Sequence, residues 1–276
     1  MISGTTVAIL SDGLPREMRG RAIGLNTTAV YLGLTLGPLA GGFLTSLYGW
    51  RSLFILKAIV SLTSLILGTR SLYLEYRRPR ALHPKIFRIR LLAALTATLL
   101  NYNATFAIGI VLSNYLQKIK GLSPDEAGLI LTIQSILQTS LSPLAGYPAD
   151  IYDPSLVAST GMAIITFSVA VLSLTIKHIY MVLAILGIMF ALFASPNTTS
   201  IMNMSPREAY GTSSALIATM RSLGQALSTS IITTIITMER NLLRASEEAL
   251  IVYVILSILA TTLSIVSSER IRSRIV

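Results

Sequence analysis

The sequence predicts an all-α membrane protein, a bundle of about eight full transmembrane helices preceded by a partial one, and three observations carry that expectation. The chain is 53% hydrophobic and only 12% charged, about half the charge of a soluble domain, with a mean hydropathy of +0.69. Its apolar residues gather into long runs with no period-two alternation, which suits helices and not barrel strands, because lipid offers the backbone no hydrogen-bond partner. Its net charge of +10 stands in short clusters between those runs, a pattern that fits lipid headgroups and a cytoplasmic surface and not nucleic acid.

Taken in order, Met1 to Leu10 is a semi-apolar run of about ten residues without the basic n-region or small-residue cleavage site of a signal peptide. A span needs roughly 20 apolar residues, so this reads as the end of a helix whose start lies upstream. Full-length runs follow near 22–48, 52–72, 91–116, 125–146, 155–175, 178–201, 212–237 and 248–267. The basic stretch 73–90 is the linker between two helical units, 1–72 and 91–276. The absence of cysteine excludes disulfides, iron–sulfur clusters and thiolate zinc sites.

Orientation follows from the basic residues. One set of loops holds fourteen of them, among them Arg16, Arg19, Arg21, Arg78, Arg207 and Arg272, whereas the other holds six, including Arg51, Lys118 and Arg240. The positive-inside rule then puts the richer set and the C-terminus in the cytoplasm of a multi-pass cell-membrane protein.

An internal repeat gives the architecture. Pro15-Arg16-Glu17-Met18-Arg19-Gly20 returns as Pro206-Arg207-Glu208-Ala209-Tyr210-Gly211, and the same offset of 191 residues pairs Gly33 with Gly224. Both copies open onto a helix running outward, so the units are parallel repeats. The repeat is six helices long: residues 91–276 form a complete unit, and 1–72 hold the end of a fourth helix, a fifth and a sixth.

The run Gly33-Leu34-Thr35-Leu36-Gly37-Pro38-Leu39-Ala40-Gly41-Gly42 places glycines at spacing four, a smooth face on which another helix can approach backbone to backbone. Pro38 removes a donor and bends the helix. This pattern resembles the fifth-helix antiporter motif of the major facilitator superfamily, which marks its exporters and especially its drug:proton antiporters. Leu14 to Gly24 resembles the family's loop between helices four and five, Gly49-Trp50-Arg51-Ser52-Leu53-Phe54 the start of helix six, and Gly121 to Gly128 the turn into helix eight. Gly146-Tyr147-Pro148-Ala149-Asp150 resembles the family's cytoplasmic G-x-x-x-D signature. The basic residues that follow the aspartate in the family are here Ile151, Tyr152 and Asp153, so Asp150 reads equally as part of a gate with Arg16, Arg19, Gly20, Arg21, Gly146 and Arg207, or as a solvated helix cap.

Polar side chains inside apolar runs usually face a cavity or a neighbouring helix. Arg221 has no acid in its own span and reads either as a functional cation or as one bonded to carbonyls, whereas Lys57 is close enough to an end to snorkel. Asn101, Tyr102 and Asn103 sit mid-span, Gln134 and Gln138 follow on the next helix, and Phe190, Phe193 and Asn197 on the fourth of the unit. Together they outline an amphiphilic cavity, with ordinary interhelical bonding as the alternative for each alone.

All twelve acidic residues fall in loops or at helix ends, so no carboxylate stands mid-bilayer to carry a proton. The two histidines, His83 and His178, lie far apart, and no cofactor or metal site is expected. The resemblance therefore implies a secondary transporter that exports hydrophobic or amphiphilic small molecules against protons, with no enzymatic activity and no nucleic-acid partner. Alternatives are the same fold serving another solute, a truncated non-transporting remnant, and one part of a transporter whose N-terminal helices are encoded separately.

Overall fold

The computed structural model of the chain describes residues 2–49, 51–63 except 53 and 60, 88–174, 178–239 and 242–268. Helix α1 is Ile2–Gly13 and α2 Arg16–Tyr48. Helix α3, Ile89–Asn114, continues as a π-helical turn over Tyr115–Ile119. Then come α4 (Pro124–Ile151), α5 (Pro154–Leu174), α6 (Ile179–Met204), a 3₁₀ turn at Arg207–Ala209, α7 (Tyr210–Met238) and α8 (Leu242–Ser267). No strand occurs among the described residues, and 54–59 and 61–63 are also helical. The linker 73–87, Arg78 and Arg272 lie outside the described residues.

Local chemistry sets several helix ends. Gly121 at φ +71° makes the turn that releases the chain from the π-helical segment, a conformation that suits glycine. Ser123 and Glu126 form a reciprocal capping box at the start of α4, worth about 1 kcal/mol. Asp153 accepts from the backbone N–H and the hydroxyl of Ser155 at 2.9 and 2.6 Å and so starts α5. At the other end, the Arg90 guanidinium donates twice to the Ser267 carbonyl at 3.0 and 3.1 Å, closing α8 where its dipole is negative.

Among the described residues, four helical stretches are both long and apolar enough to cross a membrane: Ile89–Ile119, Pro154–Leu174, Ile179–Met204 and Arg244–Ser267. Helices α2, α4 and α7 are also long, at 33, 28 and 29 residues, yet richer in Gly, Ser, Thr and Gln. Two boundaries differ from the sequence expectation. The stretch 147–154 is not a loop, since α4 runs through Pro143 and Pro148 to Ile151, and the basic approach to α2 is helical from Arg16. Proline inside a membrane helix is tolerated where neighbouring groups occupy the freed carbonyls.

Within 88–268, α3 lies against α7 and α8, α5 against α6 and α8, and α4 against α6. Small hydroxyl residues line the α5–α8 seam: Ser159 meets Ser264 at 2.9 Å, and Thr166 reaches Thr261 at 2.8 Å and the Ser257 carbonyl at 2.9 Å. Such bonds contribute about 0.6 kcal/mol each in a membrane bundle. The segment 2–48 docks on this group through α1 against α7 and α2 against α4 and α6.

Gly187 of α6 is pressed on α4, where a Cβ would stand 2.5 Å from the Gln134 carbonyl oxygen. Gly187→Ala is expected to destabilise the bundle by about 1–3 kcal/mol, read as a lowered melting temperature in detergent. Gly109→Ala, where nothing lies within 4 Å, should melt no lower than the parent.

Candidate functional site

The first candidate lies where α2 begins and α4 ends. Gly20 and Gly146 touch backbone to backbone, and a Cβ on either would strike the other's carbonyl oxygen. Gly24, one turn on, meets α4 again, with a Cβ only 2.7 Å from the Ser142 carbonyl. This close approach brings Asp150 onto the start of α2. Its Oδ1 accepts from the Gly20 N–H at 2.7 Å, and its Oδ2 accepts from the Arg21 N–H at 3.2 Å and pairs with Arg21 Nε at 3.3 Å. The Asp150 side chain is 2% exposed and that of Arg21 53%. The exposed guanidinium adds little, so the buried carboxylate on two backbone donors near a positive helix end carries most of the interaction. Asp150 is thus no solvated cap.

Around this point, Arg21 also lies over the Tyr147 ring at 4.6 Å. Arg19, 3% exposed, donates from Nε to the Leu14 carbonyl at 3.1 Å and from Nη1 to Asn203 Oδ1 at 3.2 Å, and it stands 5.4 Å from the Tyr210 ring centre. One arginine thereby ties the first copy of the repeated loop to the second. A cavity of about 430 Å³ opens between the two copies, lined by Asp12, Pro15, Arg19, Pro206, Arg207 and Tyr210 among others. Arg16 begins α2, but its side chain lies outside those described.

The second candidate is deeper in the bundle. Tyr31 of α2 and Tyr102 of α3 share a hydroxyl hydrogen bond of 2.6 Å. Phe190 of α6 meets both rings edge-on, at 5.8 Å from Tyr31 and 5.3 Å from Tyr102. The Arg221 guanidinium of α7 lies 5.0 Å from the Tyr102 ring centre, and Gln138 of α4 lies beside Tyr31. Five helices converge here. Gly224, one turn beyond Arg221, lets α7 close on the Leu99 carbonyl and the Tyr102 Cβ of α3. Arg221 Nε, Gln138 Nε2, both amide atoms of Asn101 and Oδ1 of Asn103 are buried without a hydrogen-bond partner.

The remaining expected residues distribute differently. Asn197 donates to Thr98 Oγ1 at 2.7 Å, an α6–α3 bond. Phe193 is fully buried in the apolar core, and Gln134 contributes its backbone to the Gly187 contact. Gly33 is exposed with nothing within 4 Å. Gly37, Pro38, Gly41 and Gly42 continue the α2 backbone, and their surroundings lie outside the described residues. Tyr31 and Asn203 were not expected. Tyr31 carried a weak signal, a phenol in an apolar run two residues before the glycine motif.

A bundle whose helices include four stretches long and apolar enough to cross a membrane among the described residues, with buried polar groups between its two segments, defines a multi-pass helical membrane protein. The Major Facilitator Superfamily profile matches residues 1–228 and 94–273, and the chain belongs to that family. It is 23% identical to the riboflavin transporter RibZ of Clostridioides difficile over 83% of this chain and 63% of that protein. It is 28% identical to the multidrug resistance protein MdtG of Citrobacter koseri over 57% and 42%, and 22% identical to the multidrug resistance protein Stp of Mycobacterium tuberculosis over 82% and 54%. The chain thus spans less than two thirds of the length of these relatives. Its fold is similar to that of a bacterial homologue of the iron transporter ferroportin in the outward-facing state, with a TM-score of 0.66, 13% identity, and coverage of 93% of this chain and 66% of that one.

Asp150→Asn should loosen the junction by about 2 kcal/mol, because it exchanges a charge-assisted bond to two backbone donors for a neutral one. Spin labels at exposed positions 18 and 152 of this cysteine-free chain report it. The variant is expected to gain a longer-distance population, and an unchanged distribution would show that the carboxylate does not hold the two helices together.

Proposed function

We propose that the chain carries the central binding site and one gate of a secondary transporter that exports hydrophobic or amphiphilic compounds by alternating access, with protons as the coupling ion. One observation carries the reading: Tyr31 from 2–48 and Tyr102, Gln138, Phe190 and Arg221 from 88–268 form a single cluster across the boundary of the two segments. A solute bound there touches both units, so its binding free energy depends on how they are disposed. Edge-on aromatic rings and unpartnered amides suit planar, partly polar solutes, in keeping with the names of the riboflavin and multidrug relatives.

In this proposal residues 1–72 and 91–276 are the two rocking units, joined by 73–90. The arginine-rich end with Gly20, Gly146 and Asp150 faces the cytoplasm, where contact between the units closes the inward path. Proton coupling is assigned to carboxylates outside this chain, on a separately encoded N-terminal part, because none of its own twelve acids stands mid-span. A non-transporting remnant is the second reading, and that same lack of an embedded acid favours it.

The test is efflux of an uncharged amphiphilic dye from vesicles under an imposed pH gradient. The 276-residue chain alone is expected to give no gradient-driven efflux, and co-expression of the upstream helices should supply it. In that complex Tyr31→Ala should slow efflux about tenfold or more, by removing both the hydroxyl bond and an aromatic wall. Full activity of the short chain would overturn the coupling assignment, and full activity of the Tyr31 variant would overturn the site. Single cysteines at 207 and 118 test the orientation. Labelling of position 207, but not 118, by an impermeant reagent in intact cells would reverse it.

A further inference from the structure

We propose that Arg221 receives an anionic group, so that the solutes bound at this cluster are amphiphiles carrying one negative charge, such as a carboxylate on a planar apolar body. The inference rests on the cluster being a substrate site, and it names the chemistry that site selects.

Arginine stays protonated in any protein environment, and a cation in the membrane core is costly unless something answers its charge. Among the described residues no carboxylate pairs with Arg221; the ion pair seen there is Arg21 with Asp150. Arg221 has the face of Tyr102 at 5.0 Å and the hydroxyls of Tyr102 and Tyr31 nearby, and neutral partners return only part of what an ion pair would. Its Nε is buried with no acceptor, while the side chain as a whole is only partly covered, so a ligand can reach it.

The neighbours sharpen the selection. Arg221 flanks one end of the Tyr31–Tyr102 hydroxyl pair, and the Gln138 amide stands beside the Tyr31 hydroxyl at the other. Two buried donor groups, one of them charged, on either side of an aromatic wall call for an acceptor-rich anionic head and a flat body against Phe190. The same arrangement rejects a cation, which would bring like charge to a cluster in which no described residue is an acid. A purely structural arginine would have its buried donors taken by carbonyls, whereas here Nε is left for a ligand.

Three probes share one body and differ in charge: naphthalene-2-carboxylate, 2-naphthamide and 2-naphthylmethylammonium. Their binding to the full chain in nanodiscs is measured by calorimetry. The carboxylate is expected to bind about tenfold or more tighter than the ammonium. Arg221→Gln should abolish that preference and leave the amide within about twofold, while Arg221→Lys keeps part of it. Because no carboxylate among the described residues pairs with it, Arg221→Gln should melt close to the parent, losing only the contact with Tyr102. Equal binding of amide and carboxylate by the parent would overturn the inference and spare the substrate site. So would a preference for the ammonium, which would mean that an acid already neutralises Arg221. Equal weakening of all probes together with a lower melting temperature would make Arg221 structural. Binding of none of the three would sink the site and the inference together.

Discussion

The packing of α2 on the rest of the bundle depends on how closely two backbones can approach. Gly20 and Gly146 remove the side chains that would hold α2 and α4 apart, and that contact puts the Gly20 N–H 2.7 Å from the Asp150 carboxylate. In lipid there is no hydrophobic force to press helices together, so dispersion across small residues and a few buried polar bonds set the geometry. With the carboxylate 2% exposed, its desolvation is repaid only while α2 keeps its register. The angle at which α2 leaves this junction then delivers Tyr31, three turns on, to Tyr102 and Phe190. The gate-like contact and the polar cluster are two consequences of one packing choice.

Fold class and the repeat were legible because they are written in composition and in short identities: the apolar runs, and the loop at 15–20 returning at 206–211. Helix ends were less so. The stretch after Gly146 looks like a loop by its Tyr-Pro-Ala-Asp content, but α4 continues through it to Ile151. Residue pairs across the two segments were not legible at all. Nothing near position 19 announces Asn203, and nothing near position 31 announces Tyr102, because such contacts follow from the tertiary register and leave no local trace. Single polar residues therefore sorted in ways their type could not foretell. Asn197 became a helix–helix bond, Phe193 became core, and Arg221 met an aromatic face and no carboxylate among the described residues.

The distribution of polarity along the bundle has a physical logic of its own. Helices that pair within the second segment, α3, α5, α6 and α8, hold the stretches apolar enough to span a membrane. Helices α2, α4 and α7, which make most of the contacts between segments, are also long but richer in Gly, Ser, Thr and Gln. Under the proposed alternating access this interface must be made and broken, so deep interdigitation of large side chains would trap one state. Smooth glycine faces and exchangeable hydrogen bonds cost less to separate. The repeat shows both uses of one position: Gly224 is closed on α3, while Gly33, its counterpart at the offset of 191 residues, is open with nothing within 4 Å. A glycine that is tight in one copy and open in the other marks where two equivalent helices carry different packing duties.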